Sequence, residues 1–170
     1  IDEAYIDFSN EVSWLTVLKD FPNLIITQTL SKAYAMAGLR IGILFASREI
    51  ISVLNKIKPP YNVNELTQKR ALERLDNPEK IKSEIESIIE QREELLKVLL
   101  NVNFVEKIYP TEANFILVKV DDANKRYAEL IAKGIVIRNR TTQPLCDNCL
   151  RFTVGTEQEN MKLIEVLKQL

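Results

Sequence analysis

Hydrophobic positions along the chain recur with two periods, and the switches between them mark the elements. In "EVSWLTVLKDF", Val12, Leu15, Leu18 and Phe21 fall three residues apart, which predicts a short amphipathic helix. "PNLIITQTL" and "GLRIGILFA" are continuous apolar runs instead, and each predicts a strand buried on both faces, the second starting near Leu39. "SREIISVLNKI" returns to helical spacing, with Ser47 placed as its N-cap. The paired prolines of "KPPYN" interrupt the chain at 58–62, because proline has no amide hydrogen to give a helix. From Asn64 to Leu100 the pattern is helical except at "DNPEK", where Asn77 can cap and Pro78 can take the first helical position. Ile81, Ile85, Ile88, Ile89, Leu95, Leu96 and Leu99 make one apolar stripe of this long helix, opposite a face dense in Glu, Lys and Arg.

Past Leu100 the period alternates again. "NFVEKIY" and "ANFILVKV" predict strands, "ANKRYAELIAK" a helix, "IVIRN" and "LRFTVG" strands, and "EQENMKLIEVLKQL" a closing helix with Thr156 and Glu159 at capping-box spacing. The order β-β-α-β-β-α implies a small sheet covered on one face by helices. The opening "IDEAYIDFS" begins on an apolar residue before an acid pair, as the carboxyl end of a buried strand would, so the chain is expected to be a fragment. Three segments are expected: 1–62, 63–100 as connecting helices, and 101–170.

Composition narrows the chemistry. The 170 residues are 46% hydrophobic and 28% charged, ordinary for a globular protein with one large or two small domains. A net charge of -1 argues against a broad basic face for nucleic acid. No apolar run is long enough to span a bilayer, and no signal peptide is visible. The absence of histidine removes the commonest acid/base group and metal ligand, leaving Lys, Asp, Tyr, Arg, Ser and Cys. Cys146 and Cys149 form a C-x-x-C pair, but a structural zinc site wants four ligands and this chain has no second pair. They are read as two cysteines in a turn, with a redox or shared-metal role as the alternative. Such sparing use of cysteine suits a reducing cytoplasm.

The topology concentrates polar residues at one sheet edge. Asp2 ends the first strand, a helix follows, and the strand of 24–30 then runs parallel to it. Both carboxyl ends therefore share an edge, where open α/β sheets place ligands. The link from Lys32 to the next strand is too short for a parallel crossover, so that strand returns antiparallel and brings Arg40 back. Asp2, Tyr5, Thr29, Ser31, Lys32 and Arg40 can line one pocket. This set suits pyridoxal phosphate: a lysine for its aldehyde, donors for its phosphate, and a carboxylate to keep its ring nitrogen protonated. Gly38 and Gly42 are expected to serve backbone geometry and close packing, and Glu3 merely to end a strand.

"DEAY" followed by "TLSKAYAMAGLRIG" resembles the signature of the fold type I pyridoxal-phosphate aminotransferases. "PPYNVN", "EANFILV", "VIRN" and "LRFTVGTEQEN" resemble the histidinol-phosphate aminotransferase family in particular. The resemblance covers essentially the whole chain but only about the second half of a family member. It implies an α/β fold: the C-terminal part of the large cofactor-binding domain, then a small α+β domain. It also implies Lys32 as the Schiff-base lysine, Asp2 on the pyridine nitrogen, Tyr5 on the ring oxygen, and Thr29, Ser31 and Arg40 on the phosphate. Arg151 and Arg138 would hold the substrate's anionic group, Asn114 would position substrate, and Tyr61 would reach a neighbouring subunit. The implied reaction exchanges an amino group between histidinol phosphate and 2-oxoglutarate, in a cytoplasmic homodimer. Alternatives are a phosphoamino-acid decarboxylase or aromatic aminotransferase of the same fold, or a non-catalytic ligand-binding or dimerising module at 104–170, with Arg138 and Arg151 then mere strand-edge charges.

Overall fold

Two strands joined by a twelve-residue loop organise the first part of the chain, β1 (Ile25–Thr29) and β2 (Gly42–Ala46), in a computed structural model that describes all residues from 1 to 170. They pair antiparallel, from Ile25 opposite Ala46 to Thr29 opposite Gly42, as the short link between them requires. Asp2 lies parallel against Thr27: Glu3 N–H donates to Thr27 O at 2.8 Å and Thr27 N–H to Ile1 O at 3.0 Å. The expected double-sided burial is corrected. Ile26 is fully buried, but Gly42, Ile43 and Leu44 are exposed, because no layer of this chain covers either face of β2 at its start. The strand also starts at Gly42 rather than Leu39, since Ala37–Leu39 form a 3-10 turn.

The segment read as an amphipathic helix is a 3-10 helix, Trp14–Asp20, with no buried side chain. Val12 and Phe21 stay exposed. Helices this short depend on tertiary packing for their stability, and this one finds little. The later helices follow their local signals. α1 (Arg48–Ile57) is capped by Ser47, whose side chain accepts from Ile50 N–H, and α2 (Glu65–Leu75) by Asn64, whose side chain accepts from Thr67 N–H. α3 (Pro78–Leu99) begins at Pro78, with Lys80 N–H donating to Asn77 Oδ1.

The residues group into two compact units, Ile1–Ile85 and Glu86–Leu170, so the 63–100 segment expected to connect two domains is shared between them. The second unit carries β3 (Val105–Ile108), β4 (Phe115–Val120), α4 (Ala123–Ala132), β5 (Arg138–Asn139), β6 (Cys149–Thr153) and α5 (Glu157–Leu167). Its four strands form one antiparallel sheet in the order β3-β4-β6-β5. Along β4, Ile116, Val118 and Val120 are fully buried while Phe115, Leu117 and Lys119 are only partly so. The buried set packs with Leu150 and Phe152 of β6 and with Leu95, Leu99, Leu130, Leu163 and Val166 from the three helices. Arg151 alternates to the other face.

Two features lock this unit together. α4 ends at Gly134 (φ 76°), where Gly134 N–H donates to Ile131 O and Ile135 N–H to Leu130 O, a helix stop that needs a left-handed residue. α5 starts with the expected capping box, Thr156 and Glu159 each bonding the other's backbone amide. No helix of the chain is long and apolar enough to cross a membrane.

Candidate functional site

The loop between β1 and β2 is shaped by its own hydrogen bonds. Ser31 N–H donates to Thr29 Oγ1 at 3.1 Å, and that hydroxyl donates to Ile41 O at 3.2 Å. Met36 N–H reaches back to Leu30 O, Ala35 N–H to Lys32 O, and Arg40 Nη1 donates to Ala37 O at 2.9 Å. Ala35 and Arg40 both have φ 56°, a left-handed conformation that costs a residue with a β-carbon about 1–2 kcal/mol. Strain of this kind persists only where the surroundings impose it, and it clusters at ligand sites. Here the surroundings are Leu30, Met36 and Ala71, packed with Tyr34, Leu39 and Ile41. Arg74 of α2 donates from Nε to Tyr34 O and pairs with Glu84.

Against this loop stands the segment after Asp2. Ala4 N–H donates to Asp2 Oδ1 at 3.0 Å, turning the chain so that Tyr5 faces Lys32, whose Nζ lies 5.5 Å from the centre of the Tyr5 ring. Tyr5, Thr29, Ser31 and Lys32 are half-buried, while Asp2 and Arg40 are exposed. One carboxylate, one phenol, one ammonium, two hydroxyls and one guanidinium thus border the same loop. That donor set fits a phosphorylated pyridine aldehyde, with cationic and hydroxyl groups for its phosphate and an amine for its carbonyl carbon.

The expectations for the two glycines do not survive. A β-carbon on Gly38 would meet nothing within 4 Å, and one on Gly42 only Gln28 O at an ordinary 3.6 Å. Neither has positive φ, so within this chain neither position demands glycine.

Glu3, expected only to end a strand, is a buried acceptor for three donors. Ser13 Oγ donates to it at 2.7 Å, Trp14 N–H at 2.7 Å and Gln28 Nε2 at 2.9 Å. Burial alone would push its carboxyl up, but the bonds from Gln28, Ser13 and Trp14 outweigh burial and hold it below the usual 4.5. Glu3 therefore fixes the backbone that presents Asp2 and Tyr5. Asp7 and Tyr34 were not singled out either, yet the Tyr34 hydroxyl donates to Asp7 Oδ1 at 3.3 Å and ties the Lys32 loop to the Tyr5 segment. A sequence signal existed for both: each falls within a few residues of the candidate group.

In the second unit, Arg138 and Arg151 are direct cross-strand partners on β5 and β6. The Arg151 guanidinium lies 4.9 Å from the Phe115 ring centre, and its Nε is buried without a hydrogen-bond partner. Asn114 sits at the same end of the sheet, its carbonyl accepting from Val154 N–H at 2.9 Å. Tyr61 is 94% exposed and joins neither group. Cys146 and Cys149 are free thiols at the two ends of a turn that leads into β6, whose first residue is Cys149.

The profile of the aminotransferase class I and II family matches residues 1–167. A histidinol-phosphate aminotransferase of Flavobacterium johnsoniae is 75% identical over the full chain, and one of Christiangramia forsetii is 61% identical, the chain covering 49% of each. Among solved structures, the histidinol-phosphate aminotransferase of Clostridium acetobutylicum superposes with a TM-score of 0.91 at 27% identity, over 99% of this chain and 53% of that one. The chain thus spans about half the length of the curated relatives it matches.

Proposed function

The chain belongs to the aminotransferase class I and II family, and from that premise we propose that the whole protein is a pyridoxal-phosphate-dependent histidinol-phosphate aminotransferase. It would exchange the amino group between histidinol phosphate and 2-oxoglutarate, giving imidazole-acetol phosphate and glutamate, a step of histidine biosynthesis. In the same reading it works in the cytoplasm as a homodimer, with Tyr61 free to meet a neighbouring subunit. The observation that carries the proposal is the strained loop of 29–41, which holds Thr29, Ser31, Lys32 and Arg40 opposite Tyr5.

Pyridoxal phosphate, when bound, supplies an aldehyde that takes up amines and a ring that accepts electrons from the substrate's α-carbon. The chain's residues do the rest. Asp2 would keep a proton on the pyridine nitrogen, and the Tyr5 hydroxyl would donate to the ring oxygen. Ser31 would donate its hydroxyl hydrogen to the phosphate, Thr29 would turn its own from Ile41 O to do the same, and Arg40 would add a forked cation. Lys32 Nζ would hold the group at its aldehyde carbon and would be the base that takes and returns the α-carbon proton. Arg138 and Arg151 hold the anionic end of each substrate, phosphate in one half-reaction and carboxylate in the other. Asn114 orients the substrate beside them.

The test uses the whole protein. Borohydride reduction in the presence of pyridoxal phosphate should leave a pyridoxyl group on Lys32, and histidinol phosphate with 2-oxoglutarate should yield glutamate. Lys32→Ala should do neither. Normal turnover by that variant, or a label confined to another lysine, would end the proposal.

A further inference from the structure

Cys146 and Cys149 are not used by the proposed reaction, yet the fold brings them together. Cys149 N–H donates to Cys146 O at 3.0 Å, closing a four-residue turn. Such a turn holds its end Cα atoms within about 7 Å, which overlaps the span a disulfide bridges. The turn is anchored at its third residue. Asn148 is left-handed at φ 52°, its carbonyl accepts from Val120 N–H at 2.9 Å, and its side chain accepts from Ala123 N–H at 3.3 Å. The Cys149 thiol does not point away along β6. It curls back over the turn, with Sγ 3.5 Å from Asp147 O. The Tyr109 hydroxyl hydrogen-bonds the Cys149 thiol.

Access to the two sulfurs is unequal. Cys149 is fully buried, whereas Cys146 is partly exposed. Burial raises the Cys149 thiol above its usual 9.0, against the lowering bond from Tyr109. A thiol so placed is a poor first nucleophile toward anything in solution. As a second nucleophile, attacking a sulfur a few ångströms away on the same turn, it has the advantage of an intramolecular reaction.

We propose that Cys146 and Cys149 are a site of reversible disulfide formation, with Cys146 as the entry sulfur and Cys149 as the resolving one. The oxidant is a low-molecular-weight disulfide. The Cys146 thiolate attacks one of its sulfurs, the S–S bond breaks, and one small thiolate leaves. Cys149 Sγ then attacks Cys146 Sγ of the mixed disulfide, the second small thiolate leaves, and that thiolate takes the Cys149 proton. Two protein thiols are oxidised by two electrons and one small disulfide is reduced to two thiols. The bond would close the four-residue turn at the β6 end of the loop joining β5 to β6, the strands that carry Arg138 and Arg151, beside the bond from Arg140 N–H to Cys149 O at 2.8 Å.

The probe is oxidised glutathione, added to the natively folded whole protein under air-free conditions, with trypsin digestion after alkylation. Arg140 and Arg151 bound a single peptide, 141–151, that contains both cysteines. That peptide should lose two hydrogens, carry no glutathione, and regain both hydrogens with dithiothreitol. Cys149→Ser should accumulate one glutathione on Cys146, and Cys146→Ser should stay unmodified. A wild-type protein that keeps glutathione on Cys146, forms disulfide only after denaturation, or links two chains through these cysteines overturns the assignment. These readouts need no turnover and stand apart from the aminotransferase reading.

Discussion

Arg138 and Arg151 stand directly opposite one another on adjacent antiparallel strands. Like charges in that position repel, and in a sheet built for stability alone one of them would be replaced. Arg151 also keeps a buried Nε without a partner while its guanidinium rests over Phe115. An anion bound there, as proposed, would remove both penalties at once, because it would screen the pair and accept from the forked donors.

Arg151→Ala should therefore separate function from stability. In the whole enzyme, losing a charge-assisted bond worth about 1.5–3 kcal/mol should raise KM for histidinol phosphate and for 2-oxoglutarate roughly 10- to 100-fold. Thermal stability should hold or rise, since a buried unpartnered donor and a repulsive pair are removed together. Steady-state kinetics with a melting curve checks both, and an unchanged KM for both substrates would remove the arginine from the site.

Glu3→Ala should act in the opposite way, through the fold first. It leaves the Ser13 hydroxyl, the Trp14 amide and the Gln28 amide without their shared acceptor, a loss of about 3 kcal/mol. The carboxyl is held below its usual 4.5, so its stabilising contribution is present above that value and disappears as pH falls through the lowered one. Urea midpoints measured from neutral pH downward should show the wild type losing stability in acid, with Glu3→Ala lower at neutral pH, flatter, and the gap narrowing as pH falls. A variant as stable as wild type at neutral pH would show that the three bonds contribute nothing.

The contrast between Glu3 and the helices shows what could be read from sequence. Ser47, Asn77 with Pro78, and Thr156 with Glu159 are local devices acting within three residues, and each sits where the pattern put it. The alternation along β4 and the β-β-α-β-β-α order are likewise local periodicity. The partners of Glu3 lie 10, 11 and 25 positions away, beyond any local pattern. The Trp14–Asp20 segment failed for the complementary reason: its apolar spacing is helical, but no packed face rewards an α-helix there. Asp2, Thr29 and Lys32 could be grouped from strand direction alone. That Arg138 meets Arg151 is a matter of register, which spacing does not specify.

Gly134→Ala isolates one such local device. With φ at 76°, alanine must take a left-handed conformation, which costs about 1–2 kcal/mol, although the space itself is open enough for a β-carbon. The expected result is a lower melting temperature with unchanged KM for both substrates. Equal stability would mean that α4 ends in another way.

The Tyr34–Asp7 bond yields a pair of predictions with opposite signs. Burial pushes the Asp7 carboxyl above its usual 3.8, by more than the Tyr34 hydrogen bond draws it down. Burial and the nearby carboxylate likewise raise Tyr34. A carboxyl whose folded value is raised contributes stability below its ordinary value, and that contribution fades as pH rises through the raised value. At neutral pH the folded protein thus carries a partly desolvated charge. Asp7→Asn keeps an oxygen to accept from Tyr34 and removes the charge, so its urea midpoint should exceed wild type at neutral pH, the gap closing below about pH 4. Tyr34→Phe instead leaves the charge in place without its donor, and should lower the unfolding free energy at neutral pH by about 1–2 kcal/mol. Because Tyr34 lies two residues beyond Lys32, the Phe variant should also slow turnover in the whole enzyme, while the Asn variant should not. A Phe variant of wild-type stability and rate would reduce the contact to a surface coincidence, and an Asn variant with no gain at neutral pH would show that Asp7 bears no penalty for its burial.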